Sequence, residues 1–381
     1  MLVLTFYHRD QQIDYTVFKL YNKKYSRQIH GEIKILECKS EWSVFNSQGK
    51  LLSIVEIEHI NGQIDYNKLL TNTNLSNLNF DVIVHKIACG GDEFQDINLL
   101  NELVITRLEQ FTMFAPQQQI KDISLARTSL KIYSQAKHYV CFDSGFHHSI
   151  DLKNRLLNLD FGLLEQGYKN YGTFGLNFEH LANKLIDITD KKNSKGKWIL
   201  VYLDDDNSII CGVKNGKSKY CSASAIHSEL PSFKHSGKLD PQLSNKLNRP
   251  QNEARQILIN SNLTTMINDN FTTIAELINT HHANAKLACD YYIGTICQQI
   301  TRIGNVIQGI DGIIFSGTIG TANPKIRQLI CQKLEWLGIA ISNKANLENQ
   351  TKLHKKLSSR QVFALKSHPE NAMLEQLFER I

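Results

Sequence analysis

Two short stretches carry residue types suited to phosphoryl chemistry. Val140-Cys141-Phe142-Asp143-Ser144-Gly145-Phe146-His147 is an apolar run ending on an aspartate and a histidine. That is the layout of a buried strand delivering a metal-binding carboxylate and an imidazole to a cleft. Phe315-Ser316-Gly317-Thr318-Ile319-Gly320 is a strand-like run entering a glycine turn, and glycine lets backbone amides approach a phosphate closely. Both stretches belong on a phosphotransferase scaffold. The loop that should cradle phosphates instead reads Leu203-Asp204-Asp205-Asp206-Asn207. Two unit charges about 4 Å apart repel by roughly 4 kcal/mol at an effective dielectric near 20, so this loop opposes a polyphosphate tail. It reads either as a solvated acidic turn or as an acquired cation site. Lys86 and the group Lys234, His235 and Lys238 could draw a phosphate or a carboxylate; each also reads as an ordinary structural or surface residue. Asp143 and His147 have the same bland alternative, as a strand-end residue and a core residue.

These residues need rigid elements to place them. Leu2–Phe6 and Ile13–Leu20 predict an opening hairpin, Ile33–Leu36 and Leu51–Glu58 further strands, and Phe80–Val84 and Tyr139–Phe142 buried strands. Helices are expected over Leu99–Phe114 and over Ile123–Ser134, the latter capped by Asp122 or Ser124. A second set starts at Trp198–Leu203, continues with Ile209–Lys214, and turns at Asn215-Gly216 into Lys217–Cys221. From Asn252 to Gly309 the pattern is helical, with Leu287, Tyr291, Gly294, Ile300 and Ile307 spaced as an interface-facing run. Ile310–Phe315 and Val362–Leu365 are strands, Pro324–Leu337 a helix, and Pro369 opens a terminal helix over Glu370–Glu379. Strands alternating with longer helices indicate an α/β protein.

The 381 residues exceed what one core usually supports. Two domains are therefore expected: 1–147, with the helix 370–381 packing back on it, and 148–369. A net charge of +6, from 43 basic and 37 acidic residues, is mild. The densest basic patch, Lys191–Lys197, has no aromatic platform, so no nucleic-acid partner is expected. No apolar stretch of about 20 residues appears and the start lacks a leader's basic-then-apolar order, so no membrane partner is expected. The eight scattered cysteines form no CxxC pair and read as free thiols of a cytoplasmic protein.

The order of several segments resembles the acetate kinase family (acetate, propionate and butyrate kinases) of the actin–hexokinase–Hsp70 ATPase superfamily. The matching segments are Val84–Gly91, Phe142–His147, Asn215–Ser218, Ser236-Gly237-Lys238-Leu239-Asp240-Pro241 and Gly309–Gly320. The resemblance implies a duplicated ribonuclease-H-like (actin-like ATPase) fold, two domains with an interdomain cleft. It also implies a homodimer that transfers the γ-phosphoryl group of ATP to a short carboxylate with Mg²⁺.

Carried over residue by residue, the family's metal- and base-associated aspartate is Asp143, and Glu370 offers itself for its paired glutamates near the end. Around these, most positions are altered. Tyr7, Asp10, Gln12 and Asp14 stand where the family has an asparagine, a serine-rich turn and a lysine. The arginine before the double glycine is Lys86, and the transition-state histidine is Gln118. The essential arginine of the later loop is His235. The glycine phosphate loop has become Asp204, Asp205 and Asp206, and Gly317 and Gly320 remain at the adenosine end. Ala88, Thr173 and Ile226 fall at substrate-pocket positions. The implied activity is therefore that of a catalytically impaired or inactive homologue. The alternative is a divergent ATP-dependent carboxylate kinase in which Asp143 holds Mg²⁺ and Lys86 or Lys238 neutralises anions.

Overall fold

The computed structural model describes residues 1–9, 11–22, 24–59, 64–71, 74–247, 249–267, 271 and 273–381. Asp10 lies outside the described residues. The chain divides into two compact units: residues 1–148, 173–179 and 368–381 form the first, and 149–172 with 180–367 the second.

The first unit is built on an eight-stranded sheet. Its strands are β1 (Leu2–Arg9), β2 (Gln12–Tyr21), β3 (Lys24–Ile35), β4 (Lys39–Asn46), β5 (Leu51–Glu58), β6 (Val82–Ile87), β7 (Asn98–Leu99) and β8 (Lys137–Phe142). Their spatial order is β5-β4-β3-β2-β1-β6-β8-β7. β1 to β3 run antiparallel, while β6 pairs parallel with β1 and β8 parallel with β6. β6 is buried at every position, as a strand covered on both faces requires. One face packs Leu4, Phe6, Ile13, Tyr15 and Ile83 against Leu125 of the helix Pro116–Ile132. The other packs Val3, Tyr7, Val82 and Val84 against Met373, Leu374 and Leu377 of the terminal helix Pro369–Phe378.

The second unit repeats this plan. Its strands are β9 (Lys197–Leu203), β10 (Ser208–Lys214), β11 (Lys217–Cys221), the short pair β12 (Ala223–Ser224) and β13 (His227–Ser228), then β14 (Gly312–Ser316) and β15 (Gln361–Ala364). The main sheet is ordered β11-β10-β9-β14-β15. Three antiparallel strands are again followed by two parallel ones. β3-β2-β1-β6-β8 and β11-β10-β9-β14-β15 are therefore the same arrangement used twice: a duplicated ribonuclease-H-like core. The β10–β11 turn is tight because Asn215 and Gly216 both take positive φ, 56° and 73°. The long helix Ala283–Val306 covers this sheet through Tyr292, Ile296, Ile300 and Ile303.

Several boundaries differ from the sequence reading. Leu99 ends a strand, and the helix runs only over Glu102–Glu109 because Asn101 caps it through Val104 N at 2.9 Å. The next helix begins at Pro116 rather than Ile123, since proline at the first helical position costs no hydrogen bond. Asp122 is therefore interior to a helix, not its cap. Of the run expected to face an interface, Leu287 and Tyr291 are 67% and 42% exposed, while Ile300 and Ile307 sit in the core.

The terminal helix is also tied to the start of the helix Gly175–Ile188. Gln376 Nε2 donates to Glu179 Oε2 at 2.7 Å. Burial pushes the Glu179 carboxyl up to about 7, aided by the nearby Glu375, Glu379 and Asp96 charges. The unfolded chain then loses this proton near pH 4.5 while the native chain keeps it to about 7. Stability must fall as pH rises through that window and level off above it. Comparing urea unfolding of wild type and Glu179→Gln should show the difference growing by roughly 2–3 kcal/mol in favour of the variant between pH 4.5 and 7.5. Parallel pH profiles would contradict the assignment.

Candidate active site

β6 and β8 deliver Lys86 and Asp143 to the same edge of the first unit's core, because Lys86 pairs with Cys141 and Ile87 with Phe142 in the parallel register. Lys86 Nζ donates to His8 O at 2.7 Å and to Asp122 Oδ2 at 3.1 Å, and lies 3.7 Å from Asp143 Oδ2. An ammonium has three donors, and here three oxygens of the chain surround it. The Lys86 side chain is 3% exposed and that of Asp122 0%. Gln118, one helical turn before Asp122, donates from Nε2 to Asp122 Oδ1 at 2.7 Å and to His8 O at 3.1 Å. Gln118 therefore orients Asp122.

Asp143 is held from the other side. Tyr7 Oη donates to its carboxylate at 3.3 Å and accepts from Asn177 Nδ2 at 2.7 Å. Leu176 N lies 3.4 Å from Asp143 Oδ1, and Gly175 N donates to Asp143 O at 2.9 Å. A Cβ at position 175 would stand 2.1 Å from that carbonyl oxygen, so only glycine permits the approach. His147, fully buried, is bonded through Nε2 to Thr173 O at 2.9 Å. That bond fixes the turn that brings Leu176 and Asn177 to Asp143.

Burial raises both carboxyls. Asp122 is pushed up to about 6 with Lys86 opposing the shift, and Asp143 is raised with Lys86 again the main counterweight. Burial holds His8 well below its ordinary value, with Lys86 and Lys121 adding to the shift, so His8 is neutral at pH 7. One cation thus faces two carboxylates. Ala88 is buried beside a segment clamped by Gln119, which accepts from Cys89 N and donates to Cys89 O, both at 2.9 Å. Glu370 pairs with Arg27 and with His368 Nδ1, the latter at 3.1 Å. Burial alone would raise its carboxyl, but the His368 contact and the Arg27 charge hold it below its ordinary value.

In the second unit the acidic loop is a closed turn between β9 and β10. Asp204 Oδ1 accepts from Asn207 N at 2.6 Å. Asp205 Oδ1 accepts from Ile274 N, at the start of the helix Ile274–Asn279, at 2.7 Å. Asp206 pairs with Lys234 at 2.8 Å. The loop also docks on the next one, with Phe233 N donating to Asp205 O at 2.9 Å and Ser232 Oγ to Asp206 O at 2.7 Å. His235 is exposed on that second loop, where its N–H donates to Ser232 Oγ at 3.0 Å. Ile226, 52% exposed, lies in the turn between β12 and β13.

Gly317 opens the short helix Gly317–Ala322 with φ +78°, and a Cβ there would meet Leu203 O at 2.3 Å. The close backbone passage of this helix over β9 is what requires the glycine. Gly320 O accepts from the buried Arg327 Nη1 at 3.0 Å. Arg327 also binds Asn346 O and Oδ1, both at 2.8 Å. Arg327 was not singled out from the sequence.

Mg²⁺ and an ATP tail can be tested against these donors. Mg²⁺ asks for near-octahedral oxygen ligands, yet the carboxylate of Asp143 already faces the Lys86 ammonium and Glu370 is bound to Arg27. A phosphate tail asks for free amides and cations, yet in the 204–207 turn the Asp204 and Asn207 amides are bonded within the turn and three of the side chains are carboxylates. In this arrangement the acidic turn does not fit a phosphate tail, and Asp143 and Glu370 would hold Mg²⁺ only by sharing their carboxylates with the cations they already face.

Removing one partner of a buried pair leaves an uncompensated charge, which typically costs about 3–5 kcal/mol. Lys86→Met should therefore lower unfolding stability by roughly that amount, and adding Asp122→Leu should restore at least half of it. A Lys86→Met protein as stable as wild type in urea would refute the pairing.

Comparison with known proteins bears on the whole chain. The Acetokinase family pattern matches residues 10–374. Acetate kinase of Rickettsia prowazekii is 26% identical over 309 residues, covering 80% of each chain. Acetate kinase of Borreliella burgdorferi is 26% identical over 388 residues, covering 96% of each. Among solved structures, acetate kinase from Entamoeba histolytica superposes with a TM-score of 0.84 at 22% identity, over 100% of this chain and 99% of that one. A propionate kinase from Francisella tularensis does so with 0.83 at 18%, over 98% of each. With its fold, its segment order and this match in hand, the chain belongs to the acetokinase family, whose activity uses ATP, a divalent metal and a carboxylate.

Proposed function

We propose that this chain is an acetate-kinase-like protein whose phosphotransferase site is impaired or inactive. The observation that carries the reading is the internal neutralisation of Lys86 by Asp122 and Asp143. Phosphoryl transfer to a carboxylate brings two anions together, and its rate depends on cations and amides aimed at the charge that builds up. Lys86 is committed to the protein interior. Gln118 can donate a hydrogen bond but carries no charge. His235 stands where the family has an arginine, and Glu370 is already paired. The acidic loop supports the same reading, because its three carboxylates are structural partners and present no glycine-lined amides. Losing a single well-placed donor typically costs about 10²–10³ in turnover, and here several are altered together. As part of the same reading we expect a homodimer, for which the exposed Leu287 and Tyr291 of the helix Ala283–Val306 are the apolar candidates.

The test is acyl phosphate formation by the purified protein with ATP, Mg²⁺ and acetate, propionate or butyrate, beside an active acetate kinase. The expected kcat/KM lies at least about 10⁴-fold below the control, with no heat of Mg-ATP binding up to millimolar concentration. Turnover within tenfold of the control, abolished by Asp143→Asn, would establish the divergent active kinase instead.

A further inference from the structure

Besides the Lys86 network, the hairpin of β2 and β3 carries a second set of groups with ligand chemistry, its Asp14 lying opposite Tyr7 in the β1–β2 register. In its antiparallel register Asp14 lies opposite Glu32, and Thr16 opposite His30. Residues two apart on a strand share a face, so Asp14, His30 and Glu32 lie together on one side of the sheet. One ligand atom from each falls within 4.8 Å of the other two.

Each side chain is placed differently. Asp14 Oδ1 accepts from Gln12 Nε2 at 2.6 Å, and Arg9 Nε lies 3.6 Å from its Oδ2. A carboxylate has about four lone-pair positions, so both contacts leave room for a further cation. His30 Nδ1 is bonded to Thr16 Oγ1 at 3.0 Å, and the ring stacks on Phe45 at 6.3 Å. Anchoring one ring nitrogen in this way is how proteins orient the other toward a metal. The Glu32 side chain makes no hydrogen bond or ion pair among the described residues, although it is half-buried and faces a second carboxylate. Like charges directly opposite on paired strands are destabilising, and a divalent cation between them would relieve that cost.

We propose that Asp14, His30 and Glu32 form a binding site for a divalent transition-metal cation. The imidazole sets the class. Mg²⁺ and Ca²⁺ prefer all-oxygen shells, whereas one nitrogen with two carboxylates suits Zn²⁺, Mn²⁺ or Fe²⁺. The three ligands sit on adjacent strands, so the bound ion would pin the hairpin and leave at least one coordination position open. Its three ligands are not among the partners of Lys86, and the proposal does not depend on whether phosphoryl transfer survives.

The experiment uses the full chain, stripped with chelator, re-equilibrated with Zn²⁺ and desalted. Metal content by mass spectrometry and affinity by calorimetry are then measured. One Zn²⁺ per chain is expected, with a rise in melting temperature and no competition from millimolar Mg²⁺. His30→Ala and Glu32→Gln should each weaken binding at least tenfold, while Asp143→Asn and Cys38→Ser leave it unchanged. Melting curves of the metal-free variants establish that they are folded, and X-ray absorption on the loaded wild type should show one imidazole in a nitrogen–oxygen shell. Absence of bound Zn²⁺, its retention in the His30→Ala/Glu32→Gln double variant, or its loss in Asp143→Asn or Cys38→Ser would overturn the proposal.

Discussion

A lysine ammonium buried at the end of β6 is the constraint around which the first unit's site is arranged. A charge taken out of water must be paired and hydrogen-bonded or it neutralises. Lys86 meets that demand with His8 O, Asp122 and Asp143. Each of those groups is in turn fixed by another: Asp122 by Gln118, and Asp143 by Tyr7, whose hydroxyl is oriented by Asn177. The circuit closes without an external ligand. These mutual contacts are the observation on which the proposal of an impaired site rests.

The second unit solves its own charge problem in the same manner. Three consecutive aspartates would repel if left to solvent or turned on a phosphate. Instead one closes its own turn, one receives the amide at the start of the helix Ile274–Asn279, and one pairs with Lys234. Asp205 gains because the amide it receives belongs to the positive end of a helix. The loop thus acts as a staple between β9, the 232–238 loop and that helix. Its sequence oddity has a structural use.

How much of this was legible in the residues depends on distance along the chain. The α/β alternation, the Asn215-Gly216 turn and the strand carrying Asp143 follow local rules of periodicity and turn chemistry and could be read directly, whereas the duplicated core came only with the family resemblance. The family followed from the order of segments too weak to identify it singly. Asp122 was misplaced because the polar run Gln117-Gln118-Gln119 masks the start of the helix. Had Pro116 been taken as the first helical residue, Gln118 and Asp122 would have fallen four apart on one face, and their pairing could have been anticipated. The contact of Asp122 with Lys86, and of Glu370 with Arg27 across 343 residues, had no local signal at all. Such long-range charge pairs exist only once the strand register is set. The partners of Asp204, Asp205 and Asp206 were hidden for the same reason.

The central claim is that Lys86 serves the protein interior rather than an incoming anion. Nitrogen-detected NMR of the lysine side-chain ammonium groups reads this directly. The account predicts a slowly exchanging Lys86 ammonium, assigned by its loss in Lys86→Met, whose shift stays fixed when Mg-ATP and acetate are added in large excess. A rapidly exchanging ammonium, or one that moves saturably with either ligand, would contradict it.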